Sequence, residues 1–460
     1  MNHQIRHDPS VRNELSNLAP NKHPNKETIM SQGNYRVAID IGTTKVCTII
    51  VRKRADHRVE VCGISIVPCD GMSKGMVAES ASVTVAIKES VEAAAADAGV
   101  EVNAVYTGLT GSHIESKNRW ANVPRSEGMR AVTDLDLSAA KKAAGAIDLP
   151  DDRRLLHVIP RSYALDGLHG VRNPLGMHTG ELHIESHVIT GSISKITKLH
   201  NAVFDAGVRV SSMVVEPLAS ADAVLTADER EEGAVLVDVG GGTSDIAVYH
   251  DGSVVHTAVI PVGGFQFSND LSIAFAIDFE SAERLKIKHG TAAPELAGMK
   301  EEITLHPTTM SQPLTISKRE IGQVLKERTS ELFRMIQLKL EEPHLADIPT
   351  DRIVFTGGGA KLDGFLNIAK YIFQRKVRLA SPRGLDGMPE GTNDPAYSAA
   401  VGIALWGMRN LPAENHVDER KISHTSENSG TATLANKQTA GALSMIRGWL
   451  PKRDKETAGT

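Results

Sequence analysis

Two stretches of this chain share one grammar. RVAIDIGTTKVCTIIV (36–51) and AVLVDVGGGTSDIAVY (234–249) each run through an apolar β segment, an Asp, an apolar residue, a Gly/Thr turn and a second apolar β segment. Asp40 aligns with Asp238 and Gly42 with Gly240. Copies this far apart predict two similar domains facing each other, because a short-period array repeats every 20–50 residues. Glycine lets backbone approach a ligand and turn successive N–H groups into one concavity, which suits a phosphate. Thr43, Thr44 and Thr243 add hydroxyl donors. An Asp at a strand end would repel phosphate directly, but it can hold water around Mg²⁺. Two such hairpins on opposite walls would clamp the phosphates of a nucleotide. A third Gly-rich turn, TGGGAKLDGF, follows the strand DRIVFT (351–356) and precedes the helical run LNIAKYIFQ. A strand–GGG–helix junction brings bare backbone and a helix N-terminus against a ligand. It has neither the GxxxxGK[ST] nor the GxGxxG spacing.

Composition excludes several classes. Aromatics make up only 4% of the 460 residues, so small aliphatic side chains must fill the core. The formal net charge of −5 argues against a nucleic-acid binder, which carries a basic excess. Cys47, Cys62 and Cys69 form no C-x-x-C pair and read as reduced thiols on or beside strands. No apolar run is long enough for a transmembrane helix, and 1–33 contains no secretory h-region. That segment reads as a disordered arm, with Met30 a second candidate start.

The tail ALSMIRGWLPKRDK (442–455) follows a polar linker over 413–440. A helix over 441–450 must stop at Pro451. It aligns Leu443, Ile446, Trp449 and Leu450 on one face, with Arg447 off it and Lys452 and Arg453 following. Such a segment suits the interface of an anionic membrane without spanning it, or else is a disordered tail or a docking peptide for another protein. One copy would bind marginally, like a single lipid chain, so stable attachment requires many copies in a row.

Three Gly-rich turns in this order resemble the phosphate 1, phosphate 2 and adenosine motifs of the actin-like ATPase superfamily. The resemblance implies an α/β fold of two duplicated ribonuclease-H-like domains around a nucleotide cleft. It implies that Gly42, Thr43, Thr44 and Lys45 cradle phosphate on one side, and Gly240, Gly241, Gly242 and Thr243 on the other. Asp40 and Asp238 would organise Mg²⁺ through water, and Gly357, Gly358, Gly359 and Lys361 would face the adenosine. VVEPLASADAVL (214–225) resembles the first connecting helix, whose acidic residue, here Glu216, positions the attacking water. Its bland alternative is an acidic residue at a helix N-terminus ahead of Pro217. ESAERLKIKHG (280–290) resembles the purine-side motif, with Glu283 and Lys286 clasping ribose and base, or else forming a solvated i,i+3 ion pair. NDPAYSAAVGIAL (393–405) resembles the final helix, N-capped by Asp394.

Between the first two motifs, SYALDG-x₂-GVRNPLGM resembles the signature of the FtsA family of bacterial cell-division proteins, whose α+β insert would here occupy 101–179. The implied layout is subdomain 1A over 34–100 and 180–215, 1C over 101–179, 2A over 216–265 and 345–412, and 2B over 266–344. The resemblance implies ATP and Mg²⁺ as cofactors and leaves open slow ATP hydrolysis. It implies polymerisation with copies of itself at the cytoplasmic face of the inner membrane at the division septum. The implied partners are the FtsZ C-terminal peptide, anionic lipid and later divisome proteins, with no nucleic acid. Lys318, Arg319 and Arg328 on ISKREIGQVLKER would meet the acidic FtsZ peptide, or else line a solvated helix face. A small-molecule kinase of the same fold would need a further acid as general base, and none stands out beyond those assigned. A chaperone-type ATPase would need a peptide-binding domain after Leu411.

Overall fold

A computed structural model describes residues 35–125, 128–296, 301–308 and 312–409. The expected arm (1–33), linker (413–440) and amphipathic segment (441–455, with Leu443, Ile446, Arg447, Trp449, Leu450, Lys452 and Arg453) lie outside them. Among the described residues no helix is long and apolar enough to cross a membrane.

In chain order the first sheet begins with β1 (Tyr35–Ile41), β2 (Lys45–Lys53) and β3 (Val59–Pro68), followed by helix α1 (Ser80–Ala98) and β4 (Ala104–Leu109). The insert contributes β5 (Glu115–Asn122), α2 (Asp134–Gly145), β6 (Arg153–Leu165), β7 (Leu168–Val171) and β8 (Leu182–Ser192). The chain returns through α3 (Ile193–Asp205) and β9 (Arg209–Val215), then enters α4 (Glu216–Val224). The second half comprises β10 (Ala234–Val239), β11 (Ser244–His250), β12 (Ser253–Ile260), α5 (Gly264–Phe275), α6 (Phe279–His289), α7 (Lys318–Leu340), β13 (Arg352–Thr356), α8 (Phe365–Phe373), β14 (Lys376–Leu379) and α9 (Ser398–Arg409).

The two five-stranded sheets have matching orders, β3-β2-β1-β4-β9 and β12-β11-β10-β13-β14. The last three strands of each order run parallel, while β2–β3 and β11–β12 are antiparallel. The duplication seen in two short strings therefore extends to whole sheets. Central strands carry unbroken apolar runs, β10 being buried at every position, because helices cover both faces. With few aromatics available, the first half packs on Val, Ile and Ala, while Phe333, Phe355, Phe365 and Phe373 cluster in the second. All three cysteines are free, and burial pushes the Cys47 thiol up to about 12.

The insert is a separate four-stranded sheet, β7-β6-β8-β5, with α2 packed on it around Ala140, Ala144, Tyr163 and Leu182. Its position differs from the expected 101–179. Ala104–Leu109 pairs in parallel with β1 and β9 as a strand of the first sheet, and Leu182–Ser192 is a central strand of the insert. An apolar strand flanked by glycines reads alike in either place, so only pairing decides where the boundary falls. The SYALDG-x₂-GVRNPLGM string is structural. Asp166 (φ 44°) and Gly167 (φ 85°) make the left-handed turn joining β6 to β7, as a two-residue hairpin requires. The Asp166 carboxylate accepts from the Gly180 and Glu181 amides at 3.0 and 2.8 Å. Arg172 reaches Glu231 of the second half at 2.6 and 2.9 Å, tying the insert across.

Helices α4 and α9 cross where the two halves meet. Helix α4 contacts strands of both sheets, and α9 packs on β2 and β4 of the first. A Cβ on Gly402 would collide with the Ala219 carbonyl, so the crossing brings backbone against backbone.

Candidate functional site

The two hairpin turns are built alike. Gly42 N–H donates to Lys45 O and Gly240 N–H to Thr243 O, each at 2.9 Å. Their tips oppose one another. A Cβ on Gly241 would come within 2.9 Å of Thr44 Cγ2, and one on Gly242 would strike Thr43 Oγ1. Glycine is required at these points by close approach of the opposite wall. The third turn joins them: at Gly357 (φ 86°) a Cβ would run into Asp238 Oδ1 and the Val239 carbonyl, and Gly359 packs on Val239. Its junction differs from the expected one. A 3-10 turn over Gly359–Lys361 and Gly364 in the left-handed region intervene, so α8 starts only at Phe365 and its N-terminus is set back from the glycines.

Asp40 and Asp238, at the strand ends, are 6% and 7% exposed. Two further acids share their space: Glu216, the first residue of α4, and Asp245, the second of β11. Burial pushes all four carboxyls up, Asp238 to about 6 and Asp245 to about 7. Repulsion from Asp40, Asp245 and Asp238 adds to the desolvation of Glu216 and lifts it well above the usual carboxylate range. Hydroxyls hold these acids in place. Ser220 on α4 donates to Asp238 Oδ2 at 2.5 Å, Thr110 to Asp245 Oδ1 at 2.5 Å and Thr243 to Asp245 Oδ2 at 3.1 Å.

Lys45 is the cation bearing on Asp40, Asp238 and Glu216. Its ammonium donates to the Ala396 carbonyl at 2.8 Å and lies 5.3 Å from the Tyr397 ring. In this geometry the side chain braces the cap of α9, and only its charge reaches the acids. Asp394 caps that turn by accepting from Ala396 N–H at 2.9 Å, and Lys361 is paired with it at 2.5 Å. Glu283 and Lys286 form more than a solvated pair. They meet at 2.7 Å, both sheltered, with Ser268 donating to Glu283 and Lys286 donating to Gly264 O at 2.9 Å. Gly264 N–H in turn bonds Gly240 O, which connects this pair to the second hairpin.

Asp245, Thr110 and Ser220 are absent from the sequence reading, which saw no further acid beyond those assigned. An Asp opening the apolar run IAVY was the available signal for Asp245. Ser220 had none, since only the packing of α4 brings it to Asp238. Arg328 leaves the expected peptide-contact set. Its guanidinium is bidentate to Asp270 at 2.6 and 2.8 Å and also pairs Glu331, so it braces α7 against α5. Lys318 pairs Glu301 at 3.5 Å, and Arg319 is exposed.

Comparison with known proteins bears on this arrangement. Residues 235–402 match the family described as "Cell division protein FtsA", and 111–190 match "SHS2 domain inserted in FTSA", which brackets most of the insert sheet. The chain is 33% identical over 421 residues to the cell division protein FtsA of Pseudomonas aeruginosa, spanning 92% of this chain and 98% of that protein. It is 32% identical over 392 residues to the FtsA of Escherichia coli, spanning 84% and 93%. Among solved structures, the PilM-PilN type IV pilus biogenesis complex aligns with a TM-score of 0.58 at 17% identity, over 81% of this chain and 98% of that one. At that identity the likeness shows the fold alone, the actin-like ATPase fold with its duplicated sheets. Full-length relatives, the family insert and the fold agree: the chain belongs to the FtsA family of cell division proteins.

Proposed function

We propose that this cell-division protein binds ATP with Mg²⁺ between its paired hairpins. In that state it polymerises on the cytoplasmic face of the inner membrane at the septum and tethers FtsZ there. The observation that carries the reading is the convergence of three glycine turns on three buried carboxyls and the half-buried Glu216, with Lys45 the lysine that bears on them among the described residues. The set is under-neutralised, which fits a divalent cation that takes carboxylates, waters and phosphate oxygens as ligands. A bound Mg²⁺ would supply the missing positive charge. Asp40, Asp238 and Asp245 would hold its water shell, Glu216 would orient the attacking water, and the turns at 42–45 and 240–243 would enclose the phosphates. Gly357, Gly358 and Gly359 would border the adenosine, with Lys361, Glu283 and Lys286 at its edge. How fast the bound ATP is hydrolysed depends on how strongly Glu216, so raised, can accept a proton.

Attachment is assigned to 441–455 and is weak per copy, so it should depend on assembly. The test is co-sedimentation of the full chain and a 1–440 truncation with vesicles containing anionic lipid, with and without ATP. The full chain pellets with ATP and far less without it, and the truncation stays in the supernatant. Equal pelleting of both chains refutes the tether. For the partner, Arg319→Glu lowers retention on an immobilised FtsZ C-terminal peptide several-fold and reduces its salt sensitivity. Arg328→Ala instead costs about 2 kcal/mol of stability, by leaving Asp270 unpaired, and spares retention. If Arg328→Ala abolishes retention in a folded chain, the contact assignment is reversed.

A further inference from the structure

A second polar cluster lies away from the nucleotide cleft, where the edge strand β12 meets the end of α7 and the insert. His256 on β12 is 5% exposed, and its Nε2 is buried without a hydrogen-bond partner. Its Nδ1 faces His344 Nε2 at 3.1 Å, although the two residues are 88 positions apart. His344 sits in the 3-10 turn Pro343–Leu345, just after Glu342, whose Oε2 lies 3.8 Å from His344 Nδ1. One ligand atom from each of His256, Glu342 and His344 lies within 4.8 Å of the other two.

We propose that His256, Glu342 and His344 bind a divalent transition metal of the Zn²⁺ class, with water completing the coordination. Two nitrogens on a tetrahedral zinc at about 2.0–2.1 Å stand about 3.3 Å apart, close to the observed imidazole separation. Lys339 donates to Glu342 Oε1 at 3.0 Å, an outer-shell contact, and leaves Oε2 on the Nδ1 side of His344, so a metal held through His344 Nε2 requires the exposed His344 ring or the carboxylate to rotate toward it. Space exists beside the ligands, in a cavity of about 180 Å³ lined by His256, His344, His187, Asn118 and Lys117. His187 is not a ligand, since both its nitrogens are engaged, with Asn118 at 2.7 Å and Thr257 at 3.1 Å. A metal here would pin β12 to the end of α7. It would do so next to the seam where Ser116 and Asn118 of the insert donate to the β12 carbonyls of Thr257 and Val255.

The test is Zn²⁺ titration of the chelator-stripped full chain against a chromophoric competitor, with Co²⁺ absorption as a readout of geometry. One equivalent should bind with an affinity that falls at least tenfold in His344→Ala and in Glu342→Gln. His344→Cys, which keeps a ligand, should restore it and shift the Co²⁺ band toward thiolate. The His344 side chain is 45% exposed, so these variants fold, and circular dichroism checks it. Other histidines of the chain can bind metal, and His57→Ala serves as the control that changes nothing. Equal affinity and stoichiometry in the parent and in His344→Ala would overturn the proposal.

Discussion

Replacing Asp245 by Asn stabilises the nucleotide-free chain at pH 8 and, in the proposed nucleotide site, weakens the Mg²⁺-dependent grip on ATP. Asp245 is 2% exposed and its carboxyl is raised to about 7, first by burial and then by Asp238 and Asp40. In the unfolded chain the same group ionises near its ordinary value of 3.8. Between those limits the folded state holds a proton that the unfolded state has lost, so stability falls as pH rises. The stability that protonated Asp245 contributes is complete below about 4 and lost as pH passes through about 7. Asn never ionises. Its advantage over Asp in stability therefore grows from pH 4 and levels off above pH 7, where it reaches a few kcal/mol and shows as a raised thermal midpoint. Affinity for ATP with Mg²⁺ falls at least about tenfold, one charge-assisted contact being worth 1.4 kcal/mol or more. Melting curves from pH 4 to 9, paired with nucleotide titration, read both effects. A difference in midpoint that does not vary with pH would show that Asp245 is not the strained acid described here.

Gly402→Val should be the most damaging single change outside the turns. The added Cβ has nowhere to go, because the atoms it meets are the Ala219 carbonyl group and Cα, which are backbone of α4. Helices α4 and α9 must move apart, a form of overpacking that costs about 3 kcal/mol or more and lowers the midpoint by roughly 4 °C or more in a body of this size. The damage spreads to the site. Helix α4 carries both Glu216 and the Ser220 hydroxyl that holds Asp238, so the proposed affinity for ATP falls as well. Gly407→Ala on the same helix is the comparison. Its Cβ would meet the Tyr106 ring at 3.0 Å, and a ring can tilt where a carbonyl cannot. Equal losses in the two variants would mean that α9 tolerates no side chain anywhere, and that the α4 crossing is not special.

The paired strings around Asp40 and Asp238 disclosed the duplicated sheets because glycine turns and apolar strands leave a local trace. Helices α4, α6 and α9 were equally readable, through Pro217, the 280–290 pattern and Asp394–Pro395. The limits of the insert were not. Ala104–Leu109 and Leu182–Ser192 are both apolar strands, and neither string says which sheet it joins. The site was half visible. Each Gly turn and its Asp announces itself, whereas Thr110 and Ser220 matter only because folding carries a hydroxyl to a distant carboxylate. Arg328 and Lys45 mark the same boundary from the other side: the charges were evident, but their partners, Asp270 and the Ala396 carbonyl, were set by packing.

The Lys45 ammonium waits for a carbonyl 351 residues further along the chain. At the ~5–20 residues per second of bacterial-type synthesis, that gap lasts roughly 20–70 s. Throughout it the first sheet lacks α9, the helix that covers β2 and β4, and for about the first half of it the first hairpin also lacks its opposing wall at 240–243. On the proposed function, the nascent protein is thus unable to hold a nucleotide, or to assemble on the strength of holding one, until nearly all of the described chain has been made, and a ribosome still translating the body would carry a subunit that cannot yet join a filament.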